Sequence, residues 1–318
     1  MVKRQFDYDK KYRDLLKKIQ ELKELSETTS FNLSGEIDSL EDKMMAIRDQ
    51  KYSNLSPWEK ILLVRNPQRP TSYDYIEYVC DEWIELHGDR CFGDDKAIVA
   101  GIGSFEGQPV TVFGHQRGKS TGDNIHRNFG MPHPEGYRKI HRLLSQAEKF
   151  NRPVINLIDT QGAYPGIGAE ERGQAWSISQ VLMVLSHIKV PVVSVVTGEG
   201  GSGGALALAV CDRLLMLSNA VFSVATAEAC ASILWQDTNR VEETAAAMKI
   251  TAQDLHQLNI VDRIIEEPVG GAQEQFEIIA DNIKNDIRTA IKEIMNLDRD
   301  QLLEQRYHKL RKIGEFNE

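Results

Sequence analysis

Five glycines fall within seven residues at Gly198-Glu199-Gly200-Gly201-Ser202-Gly203-Gly204, and this run limits the fold more than any other stretch of the chain. Glycine weakens helices and strands and bares the main chain, so such a run makes sense where backbone must come close to something. It lies between Val190–Val196, an apolar β-branched run of buried-strand type, and Gly203–Val210, which is patterned as a helix. Strand, glycine loop and helix in that order point to main-chain N–H groups meeting a ligand at a helix N-terminus.

Three readings fit the run. Gly198, Gly200 and Gly203 match G-x-G-x-x-G, the dinucleotide fingerprint. That fingerprint belongs to a first βαβ unit, however, and no acidic residue closes a strand about 20 residues later. A second reading gives the glycines only a packing role between strand and helix. In the third, the adjacent amides of Gly203 and Gly204 form an oxyanion hole, and bulk at Gly204 should crowd the ligand more than it disturbs the fold.

A second loop repeats the arrangement and favours the third reading. Val154–Ile158 runs into Asp159-Thr160-Gln161-Gly162-Ala163-Tyr164-Pro165-Gly166, then into a helix pattern over Ala169–Leu185. Gly162 and Ala163 offer another pair of small-residue amides at the C-terminal edge of a strand, where α/β proteins bind ligands. A Gly/Pro turn without a role is the plainer alternative.

Around these loops, from about Asp95 to Glu267, strand and helix patterns alternate. Ala97–Gly101 and Val110–Phe113 read as a hairpin turning at Glu106-Gly107, Tyr137–Phe150 as a helix, and Leu214–Leu217 and Val221–Val224 as strands. The whole predicts an α/β fold on a largely parallel sheet with its loops gathered at one edge. Ahead of it, Tyr8, Tyr12, Leu15, Ile19 and Leu22, then Ile37, Leu40, Met44 and Ile47, predict an antiparallel helical pair that must dock on something; Ser72–Leu86 also reads as helix. Behind it, Phe276, Ile279, Ile283, Ile287, Ile291 and Ile294 mark a long amphipathic helix, followed by the basic segment Arg306–Lys312. The expected division is a helical region over 1–90, a core over 91–267 and a C-terminal helical region over 268–318.

Other chemistries find little support. Gly118-Lys119-Ser120 resembles the tail of a Walker A motif, but Gly114 stands one residue too close. The loop containing Arg117 and Lys119 reads better as an anion contact or a solvated basic loop. Cys80, Cys91, Cys211 and Cys230 have no metal-ligand spacing, and neither H-E-x-x-H nor G-x-S-x-G occurs. A formal net charge of −9 argues against polyanion binding as the main activity. No run approaches about 20 apolar residues, and the N-terminus lacks the apolar stretch of a signal peptide, so a cytoplasmic protein without membrane contact is expected. No Ser/His/Asp or Cys/His constellation adjoins the glycine loops, which suggests that the ligand brings its own proton acceptor.

At these residues the chain resembles the acetyl-CoA carboxylase carboxyltransferase alpha family. The resemblance rests on Gly198–Ala205, Asp159-Thr160, Gly162–Gly166 and Glu170-Glu171-Arg172-Gly173-Gln174. Gly88-Asp89-Arg90, Arg127–Met131, Pro134–Lys139 and Ala231–Trp235 add to it. It implies a crotonase-like core carrying the helical hairpin and C-terminal helix. It further implies an α2β2 assembly with a beta subunit that holds zinc and binds acetyl-CoA, and partnership with a biotin carboxyl carrier protein and a biotin carboxylase. The activity implied is carboxyl transfer from carboxybiotin to acetyl-CoA, giving malonyl-CoA for fatty acid synthesis. Biotin is then the cofactor, Gly203 and Gly204 stabilise its oxyanion, and Gly162 and Ala163 support them. Gly200, Gly201, Tyr164, Arg117 and Lys119 become cofactor contacts, with no metal ligand on this chain.

Three positions depart from the family pattern: Gln161 for Pro, Ala175-Trp176 for Ser-Glu, and Thr226-Ala227-Glu228-Ala229 for Ser-Pro-Glu-Gly. Ala229 in particular would resist a positive φ. Natural drift is the plain reading of these departures; a non-catalytic or altered crotonase-like subunit is the alternative that rests on them, and a dinucleotide oxidoreductase is the other alternative.

Overall fold

The computed structural model describes residues 10–28 and 33–314, and the helical pair forms there as α1 (Lys10–Thr28) and α2 (Ser34–Tyr52). Tyr8 of the expected stripe lies outside the described residues. Lys23 pairs with Glu41 at 2.7 Å across the hairpin. Leu15, Leu22, Ile37, Leu40, Met44 and Ile47 are half-buried, and Ile19 is buried. The hairpin meets the core at its end, where Arg48 donates to the Val269 carbonyl and Lys51 pairs with Glu59.

α3 (Pro57–Val64) starts on a capping box in which Ser56 and Glu59 satisfy each other's main-chain amides. α4 spans Ser72–Val79, and here the structure corrects the expected helix over Ser72–Leu86. The chain turns extended at Cys80, and β1 (Glu82–Glu85) pairs antiparallel with β2 (Ile98–Phe105). Both periods fit so short a run; Gly101 decides it, because any side chain there would strike the Ile84 carbonyl. β2 turns into β3 (Gln108–His115) through Glu106 and Gly107, with φ of 50° and 77°. Two positive φ values make the tight turn that suits a twisted hairpin.

α5 (Thr121–His126) and α6 (Pro134–Lys149) lead to β4 (Val154–Thr160). The helix expected over Ala169–Leu185 forms as two pieces, α7 (Ile167–Glu171) and α8 (Gln174–His187), because Gly173 sits at φ 80° between them. β5 (Val192–Gly201), α9 (Ser202–Ala209), β6 (Arg213–Leu217) and β7 (Val221–Ser223) follow. α10 (Ala227–Trp235), α11 (Val241–Ala247), α12 (Ala252–Gln257) and β8 (Arg263–Ile265) come next, and none of these four was foreseen. α13 (Phe276–Met295) and α14 (Arg299–Arg311) close the chain.

The sheet runs β1-β2-β3-β4-β5-β6-β8, with β7 beside the end of β5. From β3 to β8 neighbouring strands are parallel. Every residue of β4 and β5 is buried, as strands at the centre of a parallel sheet covered on both faces require. Parallel pairing also sends the loops after β4 and β5 to the same edge.

One buried carboxylate ties the loop after β1 to α6. Asp89 accepts the amides of Cys91, Phe92 and Gly93 on one oxygen and Arg138 Nε on the other, at 2.7–2.9 Å. Burial alone would raise its pKa, but the amides and Arg138 outweigh that and hold it down to about 2. A depressed carboxylate contributes stability above the unfolded pKa of about 3.9 and loses it as pH falls through the folded value. Asp89→Asn should therefore cost stability at pH 7 and remove part of the decline between about pH 4 and pH 2. Acid titrations of both proteins followed by circular dichroism would check this; parallel curves would contradict it.

Candidate functional site

The glycine run is not a free loop. β5 continues through Gly201 because Gly200 pairs with Thr160 of β4 on one side, and Glu199–Gly201 pair with Val221–Ser223 of β7 on the other. Inside that strand the glycines leave room for named neighbours. The Asp159 carboxylate occupies the space a Gly198 side chain would need, the Phe222 ring that of Gly200, and the Gln161 backbone that of Gly201. Gly198 and Gly200 are thus buried strand residues, and no phosphate can reach their amides as the dinucleotide fingerprint demands.

The chain leaves the strand at Ser202, whose φ of 56° is strained for a residue with a side chain. α9 begins there with Gly201 as N-cap, and no side chain caps it. Gly203 and Gly204 are its second and third residues, whose N–H groups have no carbonyl one turn back to bond. Gly203 is half-exposed and Gly204 is buried beneath it. A Cβ on Gly204 would stand 2.5 Å from the Ala163 nitrogen and 2.7 Å from the Gly162 carbonyl carbon, whereas the nearest atom to one on Gly203 is Ile178 Cδ1 at 4.0 Å. This corrects the expectation for Gly204: added bulk there would part the two loops before it crowded any ligand.

The loop after β4 lies directly against α9. Gly162, at φ 151°, donates its N–H to Thr160 Oγ1 at 3.1 Å, and that hydroxyl donates to the Gly162 carbonyl at 2.9 Å. Its amide is therefore engaged inside the turn. Ala163 lies half-exposed beside Gly204, and Tyr164 N–H bonds the Pro132 carbonyl while its ring stacks 4.6 Å from His133.

Charged groups brace this backbone from behind. Asp159, buried at the end of β4, accepts the Glu199 amide at 2.9 Å and pairs with Arg117 at 2.7 Å. Arg117 also reaches the Val64 carbonyl, and Lys119 pairs with Asp74 at 2.6 Å. Both basic residues of the 115–121 loop thus have carboxylate partners within the chain. Arg65 grips Glu199 through two nitrogens and Glu228 through a third. Arg69 and Glu267 form a fully buried pair, with Arg69 also donating to the Thr197 carbonyl. No local pattern announced these two arginines.

Under Gly204 lie two more buried groups that the sequence did not single out. His115 is fully covered and neither ring nitrogen has a hydrogen-bond partner. Burial pushes its pKa down to about 3, against a weaker upward pull from the Gly204 and Leu157 backbone, so the imidazole is neutral at pH 7. The Tyr137 hydroxyl lies 3.0 Å from where a Gly204 Cβ would be, and burial raises its pKa well above the usual value. Neither group can exchange protons with a ligand from beneath the glycine.

The rim is apolar. Ile167, Trp176, Leu206 and Val224 flank the two loops with exposures of 80%, 68%, 46% and 80%, and α10 adds Ile233 and Leu234 at 74% and 63%. So much exposed apolar side chain marks a surface for a partner. Two departures from the family pattern sit on this rim. Trp176 faces outward, and Thr226 caps α10 by accepting the Ala229 amide at 3.2 Å. Ala229 is an ordinary helical residue in the first turn, so no positive φ is needed there.

Comparison with known proteins agrees with this architecture. The sequence pattern of the family described as acetyl co-enzyme A carboxylase carboxyltransferase-like matches residues 5–314. A relative from Syntrophomonas wolfei, named acetyl-coenzyme A carboxylase carboxyl transferase subunit alpha, is 65% identical over 316 residues, covering 99% of each chain. One of the same name from Halalkalibacterium halodurans is 51% identical over 313 residues, covering 98% of this chain and 96% of that one. Among solved structures, transcarboxylase 12S with methylmalonyl-coenzyme A and methylmalonic acid bound superposes with a TM-score of 0.59 at 18% identity, covering 72% of this chain and 42% of that chain. A Pseudomonas malonate decarboxylase hetero-tetramer in complex with coenzyme A gives 0.59 at 15% identity, covering 73% and 90%. At such identities the likeness concerns the fold, which is of the crotonase-like carboxyltransferase type. With the pattern matched along nearly its whole length, the chain belongs to the acetyl-CoA carboxylase carboxyltransferase alpha family.

Proposed function

We propose that this chain, assembled with a beta subunit, transfers the carboxyl group of carboxybiotin to acetyl-CoA, yielding malonyl-CoA in the cytoplasm. The observation that carries the reading is the uncapped start of α9, where Gly203 and Gly204 follow the N-cap and no side chain takes up their amides. That donor set fits an anionic ureido oxygen. Carboxybiotin supplies, when bound, the carboxyl group and an oxygen on which negative charge develops as that group departs. The Gly203 and Gly204 amides would donate to this oxygen, and Ala163 would lend a third amide from the facing loop. Gly162, with its N–H on Thr160 Oγ1, shapes the turn instead. Gly200 and Gly201 set the backbone path, and Tyr164 lines the approach. Arg117 acts through Asp159, which fixes the Glu199 amide, and Lys119 contributes positive field at the margin.

Holding the donors rigidly in advance is what gives them catalytic value, since they need no reorganisation as charge develops. The apolar rim would be covered by the beta subunit, which excludes water and brings acetyl-CoA. Biotin carboxylase and the carrier protein complete the set of partners. Among the described residues no helix is long and apolar enough to cross a membrane.

Co-purification with a beta subunit, followed by the reverse reaction from malonyl-CoA to biotin, tests the proposal. The complex should turn over and either subunit alone should not. Robust turnover by this chain alone would overturn the division of labour, and an inactive complex would favour the non-catalytic alternative.

A further inference from the structure

The Arg65 guanidinium lies behind the site and holds two carboxylates from segments far apart in sequence. It donates to Glu199 from Nε at 2.9 Å and Nη2 at 2.6 Å, and to Glu228 from Nη1 at 2.6 Å. The Glu199 side chain is 5% exposed and that of Arg65 22%. Glu199 belongs to the last turn-free stretch of β5, four residues before Gly203, and its own amide is fixed by Asp159. Glu228 stands in the first turn of α10, the helix carrying the exposed Ile233 and Leu234. β7 runs beside Glu199–Gly201 and delivers the chain to α10, so this helix emerges at the same sheet edge as the glycines.

Resting on the function proposed above, we infer that Arg65 is a positioning residue for carboxyl transfer: its fork fixes α10 against the glycine strand and thereby sets the wall facing the Gly203–Gly204 amides. Other contacts also hold α10: Ala231 is fully buried, and Trp235 donates to Thr244 of α11. Thr226 caps it, and Ala227 packs with Ile61, Val64 and Val221 in a small cluster separate from the main core. The planar fork matters more than the charge, because lysine cannot bond two carboxylates in one plane. Arg65 touches no reacting atom in this scheme and acts through the two glutamates.

The test uses Arg65→Lys and Glu228→Ala in the full chain, alone and assembled with beta. Arg65→Met strands the buried Glu199 and risks unfolding, whereas Glu228→Ala removes the second acceptor, leaves the Arg65–Glu199 bonds intact and serves as the second variant. Hydrogen exchange over residues 227–235 should quicken in both variants while β4 and β5 keep their protection. In the complex, kcat should fall about threefold to tenfold, with KM for acetyl-CoA and for the carrier changed less than about twofold. Unchanged exchange in α10 overturns the clamp. Faster exchange with unaltered kcat overturns the positioning role and leaves a purely structural tie. If the wild-type complex itself fails to transfer carboxyl groups, the functional reading falls and the positioning role with it, while exchange still shows whether the clamp exists.

Discussion

Gly203→Val should abolish most carboxyl transfer without unfolding the protein. The position has open space around a would-be Cβ, with Ile178 Cδ1 at 4.0 Å, and its φ is not positive. A β-branched side chain there projects over the first turn of α9, where the amides of Gly203 and Gly204 are proposed to meet the ureido oxygen. Removing a donor of this kind costs about 10²–10³ in rate, and blocking access to the pair should cost a comparable factor. Gly203→Ala, with less bulk, should fall between. Gly204→Ala makes the contrasting case: its methyl would press on the Ala163 amide and the Gly162 carbonyl carbon, and overpacking of that sort costs about 1–3 kcal/mol. Kinetics at matched assembly, with melting curves alongside, separate the two. A Gly203→Val complex with near-normal turnover would show that these amides do not serve the reaction.

The largest loss of stability is expected from Arg306→Ala. Arg306 enters from α14 into a wholly buried position and donates to the Leu185, Ile188 and Val190 carbonyls and to both oxygens of Asp212, at 2.8–3.2 Å. Its side chain is 0% exposed and that of Asp212 3%. It is the plug that joins the C-terminal helix to the loops ahead of β5 and β6. Truncation leaves Asp212 charged, buried and unpaired, and three carbonyls without donors. Breaking a buried pair on one side costs about 3–5 kcal/mol, on the order of 10 °C in melting temperature for a chain of this size. Arg306→Met with Asp212→Asn should recover much of that loss, because the charge is gone and the amide oxygen still accepts from Val192 N–H. If the single variant melts with the wild type, the helix is not anchored this way.

What the sequence made legible was chiefly what nearest neighbours decide. Val154–Ile158 and Val190–Val196 read as buried strands because β-branched runs fit a covered parallel sheet, and both formed. The helix over Phe276–Ile294 and the turn at Glu106-Gly107 followed from spacing and from glycine chemistry. Where the reading failed, a distant partner had decided. Glu82–Glu85 became strand because β2 offered an edge beside Gly101, and β5 ran on through its glycines because Thr160 and β7 flank them. The bracing ion pairs join residues 134, 198 and 94 positions apart, so no local window could hold both partners of Arg65, Arg69 or Arg306. Arg117 and Lys119 stand out in the sequence by their charge, and the fold supplies Asp159 and Asp74 to pair with them.

Labelled carboxyl transfer in a reconstituted complex bears most directly on the proposed function. The wild-type chain, a beta subunit and a carrier protein bearing labelled carboxybiotin would be mixed with acetyl-CoA and the label followed. The account predicts label in malonyl-CoA only when both subunits are present, at a rate that Gly203→Val cuts about a hundredfold while the complex stays assembled. Label remaining on the carrier with the wild-type complex intact would contradict it.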